Sequence, residues 1–210
     1  LIDSASVRKC CAAILFVDVA TAFAAVSRQL IVPAACSADI LQQQVIALGI
    51  DAVLVQEVIG AMCKGGVWNS SGASEHLIAL LTDWYKFTWS TLEGVDTLLA
   101  QGTGCSAGNP CADIFFAIAY SQVLDKTRTA LSEVGLVEFL NCDEANSYFG
   151  FDSDAAPATV IREPTYADDT AFAIFGDASD IISRLTSAAT IVWREFTIRG
   201  FTVNFGVKKT

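Results

Sequence analysis

The hydrophobic positions of this chain form separate runs that predict both strands and helices. Residues 12–19 (AAILFVDV) form an apolar run whose only charge is Asp18, which is typical of a strand buried on both faces. Ser37 is the expected N-cap of the first long helix and Gly49 its expected stop. The pattern predicts helices at 37–49, 53–63, 74–87, 110–134 and 178–199, a hairpin at about 93–94 and a strand at 201–205.

Two adjacent carboxylates, Asp168 and Asp169, follow Tyr166 and Ala167 between the apolar stretches 158–161 and 170–175. This arrangement predicts a β-hairpin with an acidic tip. Neighbouring like charges repel, so their ionised form is favoured where a cation or hydrogen-bond donors offset the repulsion. Mg²⁺ prefers such hard oxygen ligands. The alternative is ordinary turn chemistry, since Asp is common in turns for structural reasons.

Asp18 is the other carboxylate that needs an explanation. An unpaired carboxylate inside a buried strand would cost roughly several kcal/mol. We therefore expect Asp18 at the end of its strand, or in contact with a cation or a donor. The alternative is a structural Asp that is held by hydrogen bonds alone.

Four segments, in order along the chain, resemble the motifs of reverse transcriptases of the non-LTR retrotransposon type. Asp18 followed five residues later by Phe23 resembles motif A (near 12–26), and Tyr166-Ala167-Asp168-Asp169 matches motif C, the YADD box. A Gly-rich loop, a proline and a helix near 101–116 resemble motif B. A glycine, an asparagine and a Lys-Thr pair near 200–210 resemble motif D. The resemblance covers residues 12–210.

The resemblance implies one domain over residues 1–210 with an α+β fold, in which a polymerase palm-like antiparallel sheet packs against helices beside partial fingers. The implied activity is that of an RNA-directed DNA polymerase, which transfers dNTPs onto a primer 3′-hydroxyl. The implied partners are an RNA template and a DNA primer. The implied cofactors are two Mg²⁺ ions, with Mn²⁺ as a substitute.

The matched motifs also imply site residues. Asp18 and Asp168 would bind both metals, and Asp169 would be an auxiliary ligand or would tune the site electrostatically. Phe23 would be a steric gate whose ring collides with a ribose 2′-hydroxyl and so favours dNTPs. The alternative for Phe23 is a core phenylalanine.

Motif B and motif D imply a substrate-binding set. Gly104, Gly108 and Pro110 would shape the loop that supports the templating base pair, where glycine permits close backbone approach. Gln101 and Gly102 offer a second register for this motif. Lys209 would contact the triphosphate, the alternative being a solvated surface lysine.

The composition conflicts with a nucleic-acid partner. A net charge of −10 and a pI near 4.4 argue against a phosphate-binding surface, which needs Lys and Arg. In the family, much of the basic surface belongs to fingers and thumb, which are mostly absent from this chain. The chain also carries Ala24 and Ser106-Ala107 where family members usually have Asp and Arg-Pro.

Two alternatives to an active polymerase follow. The first is a catalytically inactive reverse-transcriptase-like fragment of a decayed retroelement. The second is an unrelated acidic α/β domain with structural carboxylates, which predicts that Asp18 lies far from Asp168.

The numbers of cysteines and histidines disfavour other classes of site. Seven cysteines without CxxC spacing and a single histidine, His76, disfavour a zinc site, a disulfide framework and Ser-His-Asp catalysis. His76 is expected on a helix surface. No stretch is long enough to span a membrane, so we expect a soluble, intracellular protein without a membrane partner.

Overall fold

The chain folds into helices and small antiparallel sheets that form two compact units. The computed structural model describes residues 5–6, 8–26, 28, 37–47, 50–63, 68, 72–86, 88–91, 93–94, 96–100, 102–105, 111–140, 159–160 and 162–204. One unit comprises residues 1–18, 125–194 and 203–210, and the other residues 19–124 and 195–202. The prediction of one reverse transcriptase domain over residues 1–210 stays a prediction.

Five helices of the described residues begin and end close to the predicted positions, and the short helix Ala22–Ala25 is not among the predicted ones. The helices are α1 (Ala22–Ala25), α2 (Ala38–Ala47), α3 (Ala52–Cys63), α4 (Glu75–Tyr85), α5 (Ala112–Glu133) and α6 (Ile181–Ile198). The Ser74 hydroxyl accepts a hydrogen bond from the Leu77 N–H at 3.3 Å and so begins α4, and the Asp51 carboxylate accepts one from Val53 N–H before α3. His76 is exposed on α4, as predicted. Gly49 lies outside the described residues.

The strands of the described residues form three antiparallel sheets. They are β1 (Cys11–Val17), β2 (Trp89–Ser90), β3 (Leu99–Ala100), β4 (Phe139–Leu140), β5 (Thr159–Val160), β6 (Thr165–Tyr166) and β7 (Asp169–Gly176). The largest sheet has the order β1-β7-β6, and the others are β2-β3 and β4-β5. A mixed fold of helices and antiparallel sheets is thus confirmed. The likeness to a polymerase palm stays a prediction.

The first strand is buried on one face only, so the prediction of a strand buried on both faces is wrong. Leu15 and Val17 are buried, whereas Ile14 is 45% and Phe16 60% exposed. The reason is the antiparallel pairing with β7, in which alternate side chains point to opposite faces. A continuous apolar run does not reveal which of its faces the fold covers.

The acidic hairpin forms, but its first arm differs from the predicted stretch 158–161. Tyr166 pairs with Asp169 and Thr165 with Thr170, which leaves a two-residue turn at Ala167 and Asp168. Residues Thr159–Val160 pair with Phe139–Leu140 instead. A two-residue turn fixes the register of its flanking strands, so the arm must begin directly before the turn.

The predicted strand at 201–205 does not form within its described part, residues 201–204. Only Val203 makes a bridge there, and residue 205 lies outside the described residues. The segment is nevertheless anchored, because the Asn204 N–H donates to the Asp18 carbonyl oxygen at 2.8 Å.

Each unit has its own core. In the first, Leu15 and Phe172 form a buried cross-strand pair on the covered face of the sheet. In the second, α2 and α3 pack through a cluster of buried aliphatic side chains: Leu41, Val45, Leu54, Val55, Val58, Ile59 and Ile198. Helices α5 and α6 contribute residues to both units.

Candidate functional site

The acidic turn is backbone-strained at the residue before the aspartates. Ala167 has a φ of 55°, in the left-handed region that disfavours residues with a Cβ. Tyr166 is 85% exposed, Asp168 is half-buried and Asp169 is exposed. Strained non-glycine residues are concentrated at functional sites, where the surrounding structure holds them in place. The turn therefore presents its carboxylates at the surface on a defined hairpin.

Asp18 lies at the same end of the sheet as this turn. Val17 pairs with Thr170 as the last pair of β1 and β7, and continuing the register by one residue places Asp18 opposite Asp169. Directly opposite residues of antiparallel strands have Cα atoms about 4.5–5.5 Å apart. Asp168 is the next residue in the turn. The alternative of an acidic domain with structural carboxylates predicts that Asp18 lies far from Asp168, and the separation of these two carboxylates stays to be measured.

Asn204 fixes the orientation of Asp18. Its side-chain amide donates to Asp18 Oδ2 at 2.7 Å, and its backbone N–H donates to the Asp18 carbonyl oxygen. Asp18 is half-buried at this position. The expectation that Asp18 lies at a strand end and meets a donor is confirmed. The asparagine is part of the motif D resemblance, but its role as the donor to Asp18 does not follow from the sequence alone.

The chemistry of these carboxylates fits Mg²⁺ in one respect. Among the described residues, no group of three or more His, Cys, Asp and Glu side chains is arranged to hold a metal ion. Mg²⁺ commonly uses only one or two protein carboxylates and takes its other ligands from water and substrate phosphates. Asp18 and the turn thus provide oxygen ligands of the right type at one end of the sheet. The described residues do not form a site in which protein side chains alone would hold a metal ion.

Phe23 caps a cluster of aromatic rings. It stacks on Phe116 with centroids 4.5 Å apart, and Phe116 stacks in turn on Tyr120 at 5.2 Å. The edges of Phe196 and Phe201 close the cluster around these rings. Phe23 itself is only half-buried. Its ring is therefore supported from one side by the core while part of it remains at the surface.

The glycine predicted for motif B touches the backbone of motif A. Gly104 has a φ of +84°, and a Cβ at this position would lie 3.0 Å from both the Cα and the carbonyl oxygen of Ala24. Its N–H donates to the Val26 carbonyl oxygen at 2.8 Å, and the Cys105 N–H donates to that of Phe23 at 2.9 Å. Close backbone approach of this kind requires glycine. The loop at residues 102–105 is thus hydrogen-bonded to the segment that carries Phe23.

Three predicted site residues, Gly108, Pro110 and Lys209, lie outside the described residues. Residues 141–157 also lie outside the described residues. The structure brings together Asp18, Asp168 and Asp169 at one sheet end, and Phe23 with Gly104 in the other unit. Sequence reasoning missed Arg28, a buried cation that contacts the Gly104 loop. The local sequence signal for it is a single arginine shortly after the apolar residues 22–26.

Comparison with known proteins finds no matching family model, no matching curated protein and no matching solved structure. Within the described part of the chain, no helix is long and apolar enough to cross a bilayer. The resemblance to reverse transcriptases therefore depends on the four sequence motifs alone.

Proposed function

We propose that this chain is the palm region of an RNA-directed DNA polymerase that adds dNTPs to the 3′-hydroxyl of a primer. One observation supports this most directly, namely the β1–β7 register, whose last pair is Val17 and Thr170 and whose extension by one residue would place Asp18 opposite Asp169. Two segments far apart in the sequence, each matching a carboxylate motif of the family, meet at one end of a sheet. Unrelated acidic turns would have no reason to share a strand end.

The motif resemblance gives each of the proposed residues a distinct part. Asp18 and Asp168 would hold Mg²⁺ together with the phosphates of the substrate, and Asp169 would add negative charge beside them. Bound Mg²⁺ supplies Lewis-acid stabilisation of the charge that develops during phosphoryl transfer. Asn204 keeps the Asp18 carboxylate oriented through its amide donor. Phe23 would restrict the space beside the sugar of the incoming nucleotide.

The charge of the chain determines the conditions for the test. Several of its arginines are engaged by carboxylates, namely Arg8 with Glu138 at 2.8 Å, Arg199 with Glu195 at 2.6 Å, and Arg128 with Glu163. These pairs reduce the positive charge available for phosphates. We therefore expect weak binding of nucleic acid that is lost at high salt.

Primer extension tests the proposal. The purified chain, an RNA template annealed to a labelled DNA primer, dNTPs and Mg²⁺ or Mn²⁺ are combined at low salt, with EDTA as the control. We expect extension that needs both the template and the metal. Absence of extension under every metal condition would overturn the proposal in favour of a catalytically inactive reverse-transcriptase-like module.

Replacement of Phe23 by Val should relax the choice of sugar. The smaller side chain removes the ring that would meet a ribose 2′-hydroxyl, so the ratio of rNTP to dNTP incorporation should rise by about 10-fold or more. The measurement is single-nucleotide extension with each nucleotide at several concentrations. Phe23→Tyr keeps the ring and serves as the matched control, with a ratio near that of the wild type. An unchanged ratio in Phe23→Val would contradict the gate and favour a core role for this ring.

A further inference from the structure

Arg28 is a buried cation that joins three distant segments of one unit. It is 5% exposed, and its Nε donates to the Gly104 carbonyl oxygen at 3.0 Å. Its Nη1 donates to the Tyr85 carbonyl oxygen at 3.1 Å and to the Thr88 hydroxyl at 2.5 Å. The guanidinium also lies over the Tyr85 ring, 5.0 Å from its centroid. We call this set of contacts the arginine clamp.

The side chains of the clamp at Arg28 and Cys105 are buried. Burial lowers the pKa of the Arg28 guanidinium, against the opposing influence of Tyr85 and Cys105. Burial likewise raises the pKa of the Cys105 thiol to about 11, although the nearby guanidinium lowers it. Placing a cation in such a site is costly. A planar guanidinium offers several donors in fixed directions, which neither an aliphatic side chain nor a lysine provides.

The arginine clamp is connected to the backbone of Phe23 by hydrogen bonds through the loop at 102–105. Arg28 holds the carbonyl group of Gly104, and the N–H groups of Gly104 and Cys105 donate to the carbonyl oxygens of Val26 and Phe23. Gly104 also has no space for a Cβ against Ala24. Displacement of the loop at 102–105 would therefore displace the backbone that carries the Phe23 ring.

We propose that Arg28 is a positioning residue that sets the sugar selectivity of the polymerase by holding the 102–105 loop against the backbone of Phe23. This inference rests on the proposed function and on the gate role of Phe23. Arg28 itself touches no substrate atom in this scheme. Its effect reaches the nucleotide only through the position of the Phe23 ring.

Arg28→Lys is the variant that tests this role. Lysine keeps the positive charge, but its ammonium group cannot donate in the fixed directions of the guanidinium N–H groups. The loop at 102–105 should therefore shift while the unit remains folded. We expect the ratio of rNTP to dNTP incorporation to rise by about fivefold or more. In a Phe23→Val background the same change should add nothing, since the gate is already absent. Arg199→Lys, which alters an arginine that donates to Glu195 rather than to this loop, is the matched control.

A purely structural role predicts a different result. It would lower incorporation of both nucleotides equally and leave their ratio unchanged, and that outcome would overturn the proposal. So would an equal rise of the ratio with and without Phe23, because the effect would then not pass through the ring.

Amide hydrogen exchange separates this inference from the proposed function. Arg28→Lys should make the Gly104 and Cys105 amides exchange about 10-fold faster or more, with no such change in Arg199→Lys. If the exchange rates of the Gly104 and Cys105 amides do not change in Arg28→Lys, Arg28 does not hold the loop, whatever the polymerase activity. If the wild-type chain extends no primer, the proposed function and the selectivity role fail together, while the exchange data still decide whether Arg28 holds the loop.

Discussion

Asp18→Asn should reduce metal-dependent primer extension by about 1,000-fold or more. The substitution removes the negative charge but keeps the size of the side chain and an oxygen that can still accept from the Asn204 amide. The fold should therefore survive. The loss reflects charge stabilisation in the transition state, where metal coordination contributes roughly several kcal/mol. Single-turnover extension at saturating dNTP measures it.

The three carboxylates should rank in a defined order. Asp168→Asn should match Asp18→Asn, because both are the proposed ligands of the metals. Asp169→Asn should cost less, since Asp169 is exposed and contributes as an auxiliary charge. Asp177→Asn, just beyond the opposite end of β7, changes the net charge equally and is the matched control. Extension by Asp18→Asn within twofold of the wild type would exclude the metal-ligand assignment.

Local sequence patterns predict the helices of this chain well. The boundaries of α5 and α6 follow from apolar periodicity, and the cap of α4 follows from Ser74 before an apolar run. These features depend on residues within a few positions of one another. They can therefore be predicted from the sequence alone.

Contacts between residues far apart in the sequence are harder to predict. The amide of Asn204 meets Asp18 across 186 positions, and Arg28 meets Gly104 across 76. No local sequence pattern predicts such contacts, because any hydrogen-bond donor in the chain could in principle bind a given carboxylate or carbonyl group. The motif resemblance predicts that the segments of Asp18 and Asp168 belong to one site, but it does not predict that Arg28 donates to Gly104.

The first arm of the acidic hairpin illustrates a third case. Residues 158–161 are more apolar than Thr165–Tyr166 and look more like a strand. The two-residue turn nevertheless selects the residues that flank it directly, and residues Thr159–Val160 find a different partner strand. Turn geometry outweighs apolar content in fixing register here.

Gly104→Ala should destabilise the chain by about 2–3 kcal/mol, whereas Gly102→Ala in the same loop should change its stability little. Gly104 combines a left-handed φ of +84° with backbone atoms of Ala24 at 3.0 Å from the position of an added Cβ, and backbone cannot move aside as a flexible side chain can. Gly102 has no positive φ, and apart from its chain neighbours no atom of the described residues lies within 4 Å of the position that its Cβ would take, so the methyl group of alanine meets none of them.

Thermal unfolding distinguishes the two glycine variants. The midpoint of Gly104→Ala should fall by about 5–10 °C, with that of Gly102→Ala close to the wild type. Because the loop is hydrogen-bonded to the backbone of Phe23, Gly104→Ala should also speed amide exchange at Cys105. Equal midpoints for the two variants would mean that the loop does not approach Ala24 as closely as described, and the link between the loop and the Phe23 segment would fail with it.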